Sequence, residues 1–294
     1  MPHNIPQTII DQLSRGPAAT TTARVAALQN YIQGLLGDTH HTFLQGSYRN
    51  DTAISDINDV DIVAVRLTTF SGSHSPHAGG NPLIGWETIF SEIEQKLRNQ
   101  RLYDWTIERG DKCIKISGAF NADVVPAVLY GRDPQEDPIV VYSFRDGFEK
   151  INRPRQHREN GVLKQRATGD HYKPTVRVFK NWIRNHFADD KDTISSFKME
   201  ALVHAGDNAN FYSDYPASFI LLGHEMLNKL TQRTLTPTPI LSVCGHEDIT
   251  GNWNAIGRNN FTNQLRESLD YAGRAYGATS MNDSEDYWRR AFNL

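Results

Sequence analysis

The sequence predicts an α/β protein: a mixed β-sheet with helices over residues 1–150, followed by a mainly helical stretch over residues 151–294. Three observations predict it. Strand-like β-branched runs are concentrated before residue 148, above all DVDIVAVR from Asp59 to Arg66. Helical apolar spacing dominates afterwards, most clearly in YKPTVRVFKNWIRNHF from Tyr172 to Phe187. A chain of 294 residues with 38% hydrophobic and 22% charged residues can bury a sizeable core, in one large domain or two intimate ones.

In chain order, the first helix starts after Thr20, Thr21 and Thr22 and runs to about Leu36. Threonine serves as its N-cap, Val25, Leu28, Ile32 and Leu36 recur at helical spacing, and Gly37 stops it. A short strand from Thr42 to Gln45 leads into the turn Gly46-Ser47, and the strand from Asp59 to Arg66 comes next. Ser71 to Pro82 is rich in Gly, Ser, His and Pro and reads as a surface loop, its His74 and His77 solvated. Trp86 to Arg98 has helical spacing; Tyr103 to Arg109, Lys112 to Ser117, Phe120 to Leu129 and Ile139 to Phe144 have strand character. The long helix from Tyr172 carries Pro174 in its first turn, where a missing N–H does no harm. Ser196 to His204, Pro216 to Leu230, Ala255 to Tyr276 and Ser284 to Phe292 read as further helices.

Composition removes several function classes. A net charge of -3 does not call for a broad duplex-nucleic-acid face. Cys113 and Cys244 stand far apart, which indicates neither a disulfide framework nor a cysteine zinc site. No apolar run approaches a membrane span, and the opening MPHNIPQTIIDQLSRG lacks an export-signal pattern, so a reducing cytoplasm is expected. The eleven histidines form no triad with a serine or cysteine.

The chemistry is concentrated in residues 46–65, GSYRNDTAISDINDVDIVAV. Asp59 and Asp61 lie two apart on a strand, so both side chains share one face, with Cα atoms roughly 7 Å apart. Asp123, in NADVVPAV, lies on a strand that can pair beside them. Carboxylates at about 4 Å repel by on the order of 4 kcal/mol per pair at an effective dielectric near 20, so the trio demands protons or a cation. Hard divalent ions suit oxygen ligands, and Mg²⁺ suits phosphate chemistry. Thirteen positions before Asp59, Gly46 lets backbone approach a phosphate, and the Ser47 hydroxyl can donate to it. Two Mg²⁺ held by Asp59, Asp61 and Asp123, with Mn²⁺ able to substitute, would activate a ribose hydroxyl and neutralise a departing pyrophosphate.

QGSY at 45–48, TAI at 52–54, DVD at 59–61 and ADVV at 122–125 resemble the bacterial cGAS/DncV-like nucleotidyltransferases (CD-NTases) of the polymerase-β-like superfamily. TTTA at 20–23, HRENG at 157–161, YKPTVRVFKN at 172–181 and SFKME at 196–200 extend the resemblance to about residue 225, and YKPTVRVFKN is similar to the pyrimidine-using CdnE-like clade. The resemblance implies a nucleotidyltransferase lobe packed on a C-terminal helical lobe with the active-site cleft between. It implies Mg²⁺-dependent synthesis of a cyclic oligonucleotide second messenger from nucleoside triphosphates in anti-phage (CBASS) signalling. The product would be a cyclic dinucleotide containing uridine, such as cyclic di-UMP or cyclic UMP-AMP, made from UTP with ATP as a second substrate and read by a separate effector.

By the same resemblance, Gln45, Gly46 and Ser47 form the phosphate-binding turn, and Lys180 and Ser196 contact the triphosphate tail. Asn152, in KINRP, stands beside the base, where its amide can address the O4 and N3–H edge of uracil. Two rival readings remain open on sequence: a template-free nucleotidyltransferase giving a linear product or modifying a small molecule or RNA, and a non-catalytic nucleotide-sensing module. The intact aspartate trio argues against the second, because a binding module has no use for uncompensated carboxylates. The resemblance does not place His74 and His77, and beyond about residue 225 it is weaker, carried mainly by helical pattern and by NW at 252–253.

Overall fold

A computed structural model of the chain describes residues 7–55, 59–67, 84–130, 138–188, 190, 193–232, 239–251 and 253–294. His74 and His77 lie outside the described residues. The chain divides into two compact units that are not two consecutive stretches. Residues 17–51 and 56–158 form one; residues 1–16, 52–55 and 159–294 form the other. The division expected at 150/151 is therefore drawn about eight residues later, and two earlier segments join the helical unit.

The first unit is built on a seven-stranded sheet: β1 (His40–Gln45), β2 (Asp59–Arg66), β3 (Thr106–Arg109), β4 (Ile114–Ser117), β5 (Asn121–Leu129), β6 (Ile139–Ser143) and β7 (Phe148–Asn152). The order is β1-β2-β5-β4-β3, and β6 attaches to β5 with β7 beside it. Only β2 and β5 run parallel among these pairs, joined by a crossover that includes a helix, Trp86–Arg98. Pro126 sits at the place on β5 where its antiparallel partner changes from β4, which pairs with residues 122–124, to β6, which pairs with 127–129. A residue without an N–H costs no ladder bond at such a junction.

One sheet face buries Val60, Ile62, Ala64, Ala122, Val124 and Val128 under α2 (Ala19–Leu36) and the crossover helix α4. The opposite parity, Val63, Val65, Ala127 and Leu129, packs with Phe43, Ile139 and Val141 in a smaller cluster. The strand-starting residues of that same parity are Asp59, Asp61 and Asp123, and there the face is uncovered. The threonines expected to cap α2 lie inside its first turn. The helix begins at Ala19 with Ala18 as an extended N-cap, and Thr22 Oγ1 bonds back to the Ala18 carbonyl.

The helical unit holds α1 (Gln7–Ser14), most of α5 (Pro154–Ala167), α6 (Tyr172–Phe187), α7 (Ser196–His204), α8 (Tyr215–Gln232), α9 (Ala255–Gly277) and α10 (Met281–Phe292). Its core centres on the α6 stripe Val176, Phe179 and Trp182, packed with Phe219, Phe261, Trp288 and Phe292. Ile10 and Leu13 of α1 belong to this core, which is why the N-terminal residues group with the helices. Thr52, Ala53 and Ile54 are buried in the same unit.

Candidate active site

Gln45, the last residue of β1, pairs with Asp61 on β2, and Asp61 pairs with Asp123 on β5. Three adjacent strands thus line up Gln45, Asp61 and Asp123, with neighbouring strands about 4.8 Å apart. Asp59 follows two residues back on the same face of β2. Asp59 and Asp61 are exposed and Asp123 is half-buried. Among the described residues no lysine, arginine or histidine forms an ion pair with any of the three.

After Gln45 the chain turns into the short helix α3 (Gly46–Asn50), which packs against β1 and β2. Gly46 has φ +67°, the left-handed region that glycine enters without penalty. A Cβ at this position would stand 2.5 Å from Asp61 Oδ2. The glycine read from sequence as an approach for phosphate also makes room for a site carboxyl. Ser47 lies in the first turn of α3, half-buried, and Gln45 Oε1 is a buried acceptor with no partner among the described residues.

The Asp61 carboxyl is raised from 3.8 to about 6, first by desolvation, then by the charges of Asp123 and Asp59. The residue keeps solvent-exposed surface while its carboxyl is crowded by protein, and the two neighbouring carboxylates push in the same direction as the crowding. Cys113, one residue before β4, faces the same group. Its thiol is pushed up to about 12 by burial, by the Asp123 charge and by the hydrogen bond it donates to that carboxyl. It therefore stays S–H at neutral pH, a fixed neutral donor to Asp123. Lys115 on β4 pairs opposite Asp123 in register. Sequence reasoning passed over both residues. The available signal was strand alternation from Cys113, which places 113, 115 and 117 on one face of the strand beside Asp123.

The remaining expected residues are placed differently. Asn152 ends β7, half-buried, and reaches β5 only through β6. Ser196 is the first residue of α7 and exposed, but the capping oxygen is that of Ser195, which accepts from Lys198 N at 3.3 Å. Lys180 is 3% exposed. Its ammonium donates to Glu200 Oε2 at 2.7 Å, to Thr52 Oγ1 at 2.8 Å and to the Thr52 carbonyl at 3.3 Å. All three donors are spent inside the helical unit, an arrangement the expected triphosphate contact did not foresee. A buried ammonium needs such compensation.

The donor set fits hard divalent cations: three carboxylates on one sheet face, one of them held above its ordinary range first by desolvation and then by the charges of the other two. Among the described residues, no three His, Cys, Asp or Glu side chains stand gathered into a finished ligand shell. Mutual repulsion of on the order of 4 kcal/mol per close pair opposes such gathering until positive charge offsets it.

Comparisons with known proteins agree with this geometry. Residues 159–273 match the cGAS/DncV-like nucleotidyltransferase C-terminal helical domain. The chain is 31% identical over 208 residues to the cyclic dipurine nucleotide synthase of Elizabethkingia meningoseptica, covering 62% of this chain and 68% of that one. It is 28% identical over 240 residues to the cyclic UMP-AMP synthase of Rhodothermus marinus (strain SG0.5JP17-172), covering 73% and 81%. The solved structure of the Rhodothermus marinus CdnE c-UMP-AMP synthase with Apcpp and Upnpp superposes with a TM-score of 0.70 at 22% identity, over 94% of this chain and 99% of the other. The mixed sheet with its paired aspartates and the helical unit that follows thus have the polymerase-β-like nucleotidyltransferase fold, and the chain belongs to the cGAS/DncV-like nucleotidyltransferases, in their CdnE-like branch.

Proposed function

We propose that the protein is a Mg²⁺-dependent synthase that joins nucleoside triphosphates into a cyclic dinucleotide containing uridine, acting in the cytoplasm as the signal-producing part of an anti-phage response. The observation that carries the reading is the pairing of Asp61 with Asp123 on an exposed sheet face, beside a glycine whose missing Cβ leaves space for the Asp61 carboxyl. The named activities of the relatives, a cyclic UMP-AMP synthase and a cyclic dipurine nucleotide synthase, support ring formation and leave the bases to this chain's own contacts. Among the described residues no helix is long and apolar enough to cross a membrane.

Asp59, Asp61 and Asp123 would hold two Mg²⁺, which supply the positive charge that acidifies the attacking hydroxyl and neutralises the leaving pyrophosphate. Ser47 Oγ donates to the phosphates and holds the triphosphate for in-line attack. Asp123 accepts the proton of the attacking ribose hydroxyl while that oxygen bonds to the α-phosphorus and the bond to pyrophosphate breaks. Cys113 keeps the Asp123 carboxyl oriented through its S–H. A second transfer within the linear intermediate closes the ring. Asn152 addresses the uracil edge with one donor and one acceptor, and Ser196, whose hydroxyl α7 does not need for its cap, contacts the triphosphate.

The test is incubation with each radiolabelled triphosphate, singly and in pairs, with Mg²⁺ or Mn²⁺, and product identification by mass spectrometry. A phosphatase-resistant product containing uridine is expected, and Asp61→Ala abolishes it with the fold intact. A product whose terminal phosphate is removed by phosphatase would replace the reading with a linear transferase. Asn152→Ser is expected to lower UTP use relative to purine triphosphates; an unchanged ratio removes Asn152 from base selection.

A further inference from the structure

The sheet has a second face, the one covered by α2 and α4. It buries Val60, Ile62, Ala122 and Val124, the immediate chain neighbours of the site aspartates, so a ligand on that side is separated from the carboxylates by the sheet itself. A cavity of about 660 Å³ opens there. Its walls include Arg24 and Leu28 of α2, Tyr103, Asp104 and Trp105 from the segment before β3, and Phe120 from the turn before β5. Ligand pockets typically measure about 300–1,000 Å³ and combine apolar walls with a few convergent polar groups.

The aromatic wall is organised. Tyr103 and Trp105 stack with ring centroids 5.2 Å apart at 6°, and Tyr31 meets both edge-on, at 5.0 and 5.7 Å. The stack is nonetheless not sealed: Tyr103 is 45% exposed. Gly118 lets the strand turn close against this wall, since a Cβ there would lie 3.1 Å from Trp105 Cδ1 and 3.3 Å from the Asp104 carbonyl. The two charges lining the cavity, Arg24 and Asp104, make no ion pair or side-chain hydrogen bond among the described residues, with each other or with anything else. A flat aromatic platform with a free guanidinium and a free carboxylate selects a narrow chemistry. The platform takes a planar ring by stacking, the guanidinium an anionic substituent, and the carboxylate a ring N–H.

We propose that this cavity is a second ligand site, separate from the metal-binding face, for a small planar heteroaromatic anion that carries a ring N–H. Its occupant touches the turn that leads into β5, whose third residue is Asp123.

Indole-3-carboxylate has all three features and no resemblance to a nucleoside triphosphate, so it is the probe, with neutral indole as its partner. Binding to the full chain is followed by ligand-observed NMR titration. A ligand of this size is expected to bind with a dissociation constant on the order of 1 mM. Arg24→Gln changes an exposed side chain and is expected to weaken the carboxylate about tenfold while leaving indole unchanged. Trp105→Leu is expected to weaken both. Excess non-hydrolysable nucleoside triphosphate with Mg²⁺ leaves binding untouched. Equal affinity in wild type and Arg24→Gln, displacement by the nucleotide, or no binding at 20-fold above the expected constant each overturns the proposal. Because Arg24→Gln and the indole pair read the site without disturbing the aromatic stack, a misfolded Trp105→Leu leaves the result decisive.

Discussion

Replacing Gly46 by alanine tests whether the turn before α3 is shaped by the Asp61 carboxyl. The added Cβ would meet Asp61 Oδ2 at 2.5 Å, where ordinary contact begins at 3.4 Å, so carboxyl or turn must move by about 0.9 Å. Alanine at φ +67° also costs roughly 1–2 kcal/mol in the left-handed region. The stability loss is then modest, a melting temperature lower by roughly 2–8 °C. Activity should suffer far more, because a 1 Å displacement of a reacting group costs about 10²-fold. Pyrophosphate release under saturating triphosphates, beside a circular-dichroism melt, separates the two. The expected outcome is a folded protein with kcat down about a hundredfold. Near-normal turnover would show that Asp61 has slack around it, and the reasoning from close approach would fail.

Other perturbations read other parts of the molecule. Divalent-ion affinity, followed by Mn²⁺ titration, should fall about tenfold per pH unit below about 6, because the proton competes for Asp61, whose carboxylate form exists above that value; a flat profile between pH 5 and 7 refutes it. His40 is buried and lowered from 6.5 to about 4, by desolvation and then by Lys96 and Arg66, so the unfolded chain binds its proton more tightly. The stability this gives is complete above pH 6.5 and is lost, up to about 3 kcal/mol, as pH falls toward 4. His40→Asn should flatten that limb of the melting-temperature profile. Lys180→Met removes the buried ammonium that pairs with Glu200 and should cost about 3–5 kcal/mol, most of it recovered in Lys180→Met with Glu200→Leu; melts of the two variants decide. Gly273→Ala, mid-helix and exposed with nothing within 4 Å of the new Cβ, should stabilise by about 0.5–1 kcal/mol and leave synthesis unchanged.

Elements whose pattern repeats over several turns or pleats were legible in the sequence. β2, α4, α6 and α7 occupy the residues that their apolar patterning predicts, Asp59–Arg66, Trp86–Arg98, Tyr172–Phe187 and Ser196–His204. What was missed had weak periodicity or local composition that pointed elsewhere. α1 is only eight residues long, β7 is half-exposed along its length, and α5 is so polar that it buries only Pro154 and His157. Such segments take their structure from the surfaces they meet, as Ile10 and Leu13 do in the helical core. The threonines before α2 illustrate the same limit from the other side. Three good capping residues were available, yet the helix starts before them because an extended Ala18 suffices.

The candidate site divides along the same line. The carboxylates and Gly46 were readable because each breaks a local preference: aspartates at the start of an apolar strand, and a glycine where a strand passes into a helix. Lys180 breaks none. On a helix of mean composition, a lysine that reaches a phosphate and one that neutralises a buried glutamate leave the same mark in sequence, and only Glu200, twenty positions on, tells them apart. Glu200 was itself legible as an acid within the α7 pattern, but its partner was not, since pairing across two helices carries no period. Cys113 is the converse case, a residue of neutral character made relevant by register alone, because β4 must pair with β5 for its thiol to face Asp123. Function in this chain is therefore readable where a residue conflicts with its own segment. Where the conflict is resolved by a distant partner, only the three-dimensional pairing reveals it.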